Sequence, residues 1–460
     1  MSQLASITLP SFGMASDLPE IPLAEYENRL VLVQERMERE EYDFLLIYGD
    51  REHSANMAYL IGFDPRFEEA LLLLDRTGRR RLLVGNECMG YLPNSDLNCE
   101  AVLFQEFSLL GQDRSESLSL RSILGDFGIG QGVQVGCVGW KYFSGHLLDD
   151  VEQAIELPAY IVDLLRDLCG DPKAVRNATS IFMNPADGLR MVNSVDQIAQ
   201  FEFAATRTSE GVLSVLRQIE IGAVEYELEA QLKGDGLPLS CHRMVGFGEK
   251  AKRGLASPSA SRAQLGDTFT IGFGLWGALS CRAGVVASGL QDLNGDLADF
   301  YPRFVENDFD VVAAWYEGVK LGAIGGDVWE SVETLRDSEC YEFAVNPGHN
   351  IHYDEWVHSP FIKGGELPLL SGMALQMDII PVSAGPFCYS NAEDGVVIAD
   401  ESLCAELADR YPECWQRIEA RRGFMQDRLG IQLDESVLPL SNTPGWLPPC
   451  ALDLSRAMAR

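Results

Sequence analysis

Apolar residues recur at helical spacing over residues 24–40 (AEYENRLVLVQERMERE), with charges at the remaining positions, which predicts an amphipathic helix. The short apolar run YDFLLIYG (42–49) follows and fits a buried strand, and ALLLLD (70–75) and RRLLVGNE (80–87) repeat that style on either side of the turn-like RTGR. VQVGCVG (133–139) predicts a further strand, and SGHLLDDVEQAI (144–155) carries a helical pattern. Alternation of strands and helices predicts an α/β domain over residues 24–190. The second half reads differently. SVDQIAQFEFAATRTSEGVLSVLRQI (194–219) is one long amphipathic helix, with Ser194 as N-cap and Gln197 completing a capping box. A second helix is expected over 224–234 and strands joined by a glycine turn over 266–289; helices over 308–324 and 326–339 follow, then strands over 371–382 and 394–401, and helix again over 400–429. The pattern sets apart a polar leader (1–23), the α/β domain (24–190), a second domain (191–430) and a Pro-rich C-terminal extension (431–460) expected to wrap a surface.

A chain of 460 residues is too long for one compact core, which agrees with that division. The net charge is −33, from 36 basic and 69 acidic residues. A field of that sign repels phosphate backbones, so nucleic-acid partners are not expected, and cationic small molecules are mildly favoured. No apolar run reaches the ~18 residues of a spanning helix, so no membrane partner is expected. The N-terminus lacks the basic and apolar regions of a signal peptide. The 11 cysteines follow no CxxC spacing, which argues for reduced thiols, a cytoplasmic location and no structural zinc site.

Three of the six histidines, His349, His352 and His358, lie within ten residues after an Asn-Pro-Gly turn. Asp378 and Glu393 sit within apolar strand patterns, where a carboxylate is costly unless it is paired or functional. Cys281 reads either as a small buried hydrophobe or as a nucleophile beside a base such as His349. Arg282 reads equally as a bidentate partner of a substrate carboxylate and as the partner of a strand carboxylate.

Six ordered segments of the second half carry a resemblance. VNSVDQIAQFEFAATRTSEGV, IEIGAVEYEL, LGDTFTIGFG, PGHNIHYDEWVHSP, SGMALQMDIIP and NAEDGVVI resemble, in that order, the motifs of the pita-bread superfamily of creatinase, prolidase and aminopeptidase P. NMAYLIGF (56–63), before an apolar strand, resembles part of the smaller N-terminal creatinase-type domain. The resemblance implies an α/β (α+β) fold: a creatinase-type domain followed by a pita-bread domain of catalytic type, usually in a homodimer. Arg66 and Phe67 would then lie where such dimers reach a neighbour's site.

Metal-dependent members of the superfamily bind two ions through two aspartates, one histidine and two glutamates. By the resemblance His349 falls on the ligand histidine, Asp378 on the first glutamate as a shorter carboxylate, and Glu393 on the second. The first aspartate position is Gly272, and the second falls near Ala283. Residues 268–291 contain no acidic residue at all, so no shift of alignment restores either ligand. His242 lies too early to match a further family histidine, while His358 falls on the family's second histidine and His352 on a motif glycine. No cofactor is therefore expected, although His349, Asp378 and Glu393 leave room for one weakly held divalent ion.

Creatinase shares the fold, needs no metal and lacks the paired aspartates, and FGLWGALSCRAG (273–284) resembles one of its stretches. The resemblance implies a metal-independent hydrolase of a C–N bond in a small, cationic guanidino, amidino or amine substrate. His349 is expected to act as general acid and base with Asp378 and Glu393 holding the cation, and His358, Arg282, Cys281 and His352 to contact substrate. Three alternatives stay open: a metal-dependent Xaa-Pro aminopeptidase or prolidase with a remodelled site, a lyase on the same fold, and a non-catalytic peptide-binding module.

Overall fold

The structure is a computed structural model and describes residues 2–92, 99–293, 300–382 and 391–460. It separates into two compact units, Ile21–Met191 and Met1–Glu20 with Val192–Arg460.

In the Ile21–Met191 unit, the helix Leu23–Arg39 buries Leu30, Val33 and Met37 along one stripe, as its pattern predicts. With β1 reserved for Gln3–Ser6 of the other unit, the strands here are β2 (Phe44–Gly49), β3 (Ala70–Asp75), β4 (Arg80–Val84), β5 (Glu100–Leu103), β6 (Val135–Val138) and β7 (Val175–Asn177). They form a mixed sheet in the order β5-β4-β3-β2-β6-β7. β2 pairs antiparallel with β3 and parallel with β6, which takes a crossover connection. β2 and β3 are buried along nearly their whole length, consistent with continuous apolar runs rather than alternation. The helix expected over 144–155 is absent; the segment runs as turns and bends. Leu147 is 93% exposed there, so the apparent apolar stripe has no surface to bury against. Phe67 is exposed and Arg66 adopts φ 59°.

In the second unit, the helix Val195–Leu216 starts where the capping signal places it, with Ser194 Oγ accepting from the Gln197 amide. Its nearly complete burial makes it the central prop of the sheet behind it. That sheet contains β8 (Met244–Phe247), β9 (Thr268–Leu275), β10 (Ala278–Val285), β12 (His349–Asn350), β13 (Ala374–Ile379) and β15 (Ala392–Ile398) in the order β12-β13-β15-β10-β9-β8, with β16 (Val437–Pro439) joined to β15. A short separate ladder pairs β11 (Glu342–Phe343) with β14 (Pro381–Val382). The helix expected over 224–234 shortens to Glu225–Glu229. The one expected over 400–429 splits into Glu401–Arg410 and Pro412–Phe424, because Pro412 cannot continue the first helix and serves as the first residue of the second.

The chain ends differ most from expectation. The polar leader contributes β1 (Gln3–Ser6), which pairs antiparallel with β17 (Arg456–Ala459), Gln3 opposite Ala459. The segment read as a surface wrap is largely interior: residues 437–446 are buried and include Trp446 at 1% exposure. Proline there marks turns inside the unit rather than a loose strap.

Candidate active site

The site is a line of residues in register across the sheet of the second unit. Met244 pairs with Gly272, Gly272 with Cys281, Cys281 with Glu393, and Glu393 with Asp378. Directly opposed residues share a face of a sheet, so these five side-chain positions point the same way. One strand further on, His349 pairs with Gln376, two residues before Asp378 and therefore on that same face. Gly348 delivers His349: its φ is 109°, and a Cβ there would lie 2.6 Å from the Gln376 carbonyl and 2.9 Å from Trp315 Nε1. Only glycine fits that turn.

The row gathers three predicted residues. His349 Nε2 lies 3.5 Å from Glu393 Oε1 and 3.8 Å from Asp378 Oδ2. A fourth member was not foreseen: Glu355 Oε1 is 3.2 Å from the same nitrogen. Trp356 stacks on the imidazole, centroids 4.2 Å apart and planes 19° apart. His349 Nδ1 donates to the Asn350 carbonyl at 3.2 Å, which fixes the ring and aims Nε2 at the carboxylates. Glu355 and Trp356 lie in the bend between Asn350 and His358, whose backbones close its base: the Asn350 amide donates to the His358 carbonyl at 2.6 Å. A sequence signal existed, in that HYDEWVH places an acid and an indole between two histidines, but a bend has no periodicity that would show which of them turns inward.

Electrostatics follow from crowding and burial. The side chains of His349, Asp378 and Glu393 are 0%, 4% and 1% exposed, and Glu355 is 26% exposed. Among the described residues, no lysine or arginine pairs with Asp378, Glu393 or Glu355. Burial raises the Glu393 carboxyl to about 7, with Glu355 adding to the rise and His349 opposing it. Burial and then the neighbouring Glu393 hold Asp378 well above the usual carboxylate range. Burial alone pulls His349 down, but Glu355, Glu393 and Asp378 together outweigh it and hold the imidazole well above its ordinary value.

The other predicted residues part company with the site. Arg282 is a structural cation. It follows Cys281 on β10 and so faces the opposite side, where it is fully buried and donates to Asp394 Oδ2 at 2.7 Å and to the Trp446 carbonyl at 2.8 Å. Cys281 does face the row and donates to Glu393 Oε2 at 3.4 Å. Burial, then Glu393 and Asp378, push its thiol far up, which is the wrong direction for a nucleophile. His352 is held among aromatic rings, edge-on to Phe201 at 5.2 Å, with its Nδ1 accepting from the Tyr353 amide and its carbonyl taking the Gly277 amide of the β9–β10 turn. His358 is partly buried, and its Nδ1 meets the Ser359 carbonyl rather than a carboxylate of the row; burial lowers its pKa. His242 bonds the Leu255 carbonyl at the surface.

The two aspartate ligands of a dinuclear centre have no counterpart in the folded row. A Cβ on Gly272 would lie 2.6 Å from Met244 Cε and 3.0 Å from Cys281 Sγ, so a thioether and a thiol fill that half of the site. A pair of ions does not fit this set of donors. One ion does: His349, Asp378 and Glu393 offer ligand atoms all within 4.8 Å of one another, and His349 Nε2, Asp378 Oδ1 and Glu393 Oε1 are buried and make no hydrogen bond of good geometry, although Nε2 lies 3.2 Å from Glu355 and 3.5 Å from Glu393.

Solved structures bear out the expected pita-bread fold. The chain is similar to the prolidase of Pyrococcus horikoshii OT3, with TM-score 0.62 and 17% identity over 81% of this chain and 95% of that one. It is similar also to the dipeptidase PepE of Mycobacterium ulcerans (0.60, 20%, 82% and 94%) and to a Xaa-Pro dipeptidase of Bacillus anthracis (0.61, 14%, 82% and 96%). By sequence alone, no family model and no curated protein matches the chain. Among the described residues, no helix is long and apolar enough to cross a membrane.

Proposed function

We propose that the protein is a hydrolase that cleaves a C–N bond in a small cationic substrate, in the manner that its resemblance to creatinase implies, without a dinuclear metal centre. One observation carries the reading: a single imidazole nitrogen faces three carboxylates with no lysine or arginine among them, in a row whose remaining positions are Met244, Gly272 and Cys281. With His349 protonated and all three acids ionised the cluster lacks positive charge; the raised Asp378 and Glu393 carboxyls offset this by holding a proton in the free protein, and a guanidinium, amidinium or ammonium offsets it when bound. Asp378 and Glu393 hold that cation. With the cation bound, His349 releases its own proton to solvent, and the neutral Nε2 takes a proton from water as the water oxygen bonds to the substrate carbon. The same nitrogen then gives the proton to the departing nitrogen as the C–N bond breaks, so the enzyme ends as it began.

The test is hydrolysis of a panel of guanidino and amidino compounds by protein treated with EDTA. Chelator-resistant turnover, lost by about 10²–10⁴-fold in His349→Ala, is the expected result. Undiminished activity in His349→Ala would overturn the proposal.

A second reading rests on buried donor atoms that make no hydrogen bond of good geometry. His349, Asp378 and Glu393 would hold one divalent ion in a prolidase-like hydrolase with a remodelled site. When bound, such an ion supplies Lewis acidity to a carbonyl or a water. Activity that EDTA abolishes and a divalent ion restores selects this reading over the first.

A further inference from the structure

Three carboxylates surround His349, but they are not equivalent. Asp378 and Glu393 arrive on rigid strands and are all but sealed, at 4% and 1% exposure, whereas Glu355 arrives on a bend and is the member that solvent reaches, at 26%. It is also nearest to His349 Nε2, at 3.2 Å against 3.5 and 3.8 Å. The adjoining Trp356 is 36% exposed and covers one face of the imidazole. A molecule entering from solvent therefore meets Glu355 and Trp356 before it meets the strand carboxylates. Neither residue lies on a motif position that the superfamily resemblance assigns.

We propose that Glu355 is the cation-recognition residue of this site: its carboxylate pairs with His349 in the free protein and exchanges that partner for the cationic group of an incoming guanidinium or amidinium, with Trp356 as the aromatic wall of the entry. The inference rests on the hydrolase reading above and deepens it by naming what selects the substrate. The exchange conserves charge pairing, because the incoming cation takes the place of the His349 imidazolium at Glu355, and the imidazole loses its proton to solvent as that carboxylate leaves it. It leaves His349 Nε2, oriented through Nδ1, free of its nearest carboxylate when a water must be deprotonated. The base of the bend is held by the Asn350–His358 pairing, and the exchange is made by the Glu355 side chain that the bend carries. A planar cation also gains from the indole face, as ammonium and guanidinium groups do over tryptophan.

Calorimetric titration of the full chain with methylguanidinium chloride and with its neutral isostere methylurea tests this. Methylguanidinium is expected to bind the native protein and methylurea to bind at least tenfold more weakly. Glu355→Gln is expected to weaken methylguanidinium tenfold or more and to leave methylurea unchanged, with an unaltered melting temperature; Glu355→Asp, which keeps the charge, is expected to recover part of the affinity. Equal methylguanidinium affinity in native and Glu355→Gln protein overturns the inference. So does absence of methylguanidinium binding, equal binding of methylurea, or a response to manganese chloride alone. Glu355-dependent binding without turnover of any substrate in the panel would sink the hydrolase reading and leave the recognition role standing; turnover that Glu355→Gln does not alter would do the reverse.

Discussion

Replacing Arg282 by lysine keeps its charge and removes its fork, and so separates a structural cation from a substrate-binding one. The guanidinium serves five acceptors in the interior: Asp394 Oδ2 at 2.7 Å, and the carbonyls of Trp446 at 2.8 Å, Cys281 at 2.5 Å, Glu393 at 3.2 Å and Thr443. An ammonium has three N–H donors on a longer, thinner stem, so at least two of those acceptors lose their partner. A buried polar group left unsatisfied costs about 1–3 kcal/mol, which puts Arg282→Lys at roughly 2–6 kcal/mol. The unit that carries it has about 290 residues, for which the unfolding entropy is ~0.6 kcal/mol per kelvin. The melting temperature of that unit should therefore fall by about 3–10 °C in a calorimetric scan. Methylguanidinium affinity, measured well below the transition, should stay within threefold of native. A variant that melts within 1 °C of the native protein yet loses tenfold in affinity would refute the reasoning and return Arg282 to the substrate.

Two further predictions concern other buried groups. Burial opposes ionisation of Glu202, but Arg421 and Arg417, both at 2.7 Å, outweigh it and hold the carboxyl below its ordinary value. Its contribution to stability is thus present above the unfolded pKa of about 4.5 and lost as pH falls through the lower folded value. Glu202→Gln should cost about 3–5 kcal/mol at pH 7, with the gap to native narrowing below about pH 4.5; a gap in thermal midpoint that stays constant down to pH 3.5 would contradict this. Cys281, 1% exposed with its thiol pushed far up, should resist iodoacetamide at pH 8 in the folded protein and react once urea unfolds it, read by peptide mass spectrometry. Cys281→Ala should keep turnover within about tenfold, whereas a loss near the 10³-fold scale of a missing catalytic group would make the thiol a nucleophile.

The cluster of His349, Asp378 and Glu393 was legible because each residue sits in a stretch whose local pattern is itself informative: a glycine turn before the histidine, and apolar strands interrupted by one acid. Arg282 was misplaced for want of one step. Strand alternation applied to the Cys281–Arg282 pair sends the two side chains to opposite faces, and Asp394, next to Glu393, is then the natural partner of the arginine. Glu355 was missed because bends carry no period. The apparent helix over 144–155 failed because spacing alone cannot say whether a partner surface exists for Leu147 and Leu148. The β1–β17 pairing was beyond any local reading, since Gln3 and Ala459 meet across almost the whole chain.

That pairing sets an order on synthesis. The Ile21–Met191 unit is one uninterrupted stretch and can close while translation continues, about 5–20 residues being added each second. The unit around His349 has Gln3–Ser6 made before that stretch and its complement, Arg456–Ala459, made more than four hundred residues later. Gln3–Ser6 must therefore wait as an unpaired edge, tethered to a neighbour that is already folded. A nascent chain stalled before β17 would display that edge to the cell's chaperones, and a ribosome-arrested series ending on either side of Arg456 would show the moment at which it is covered.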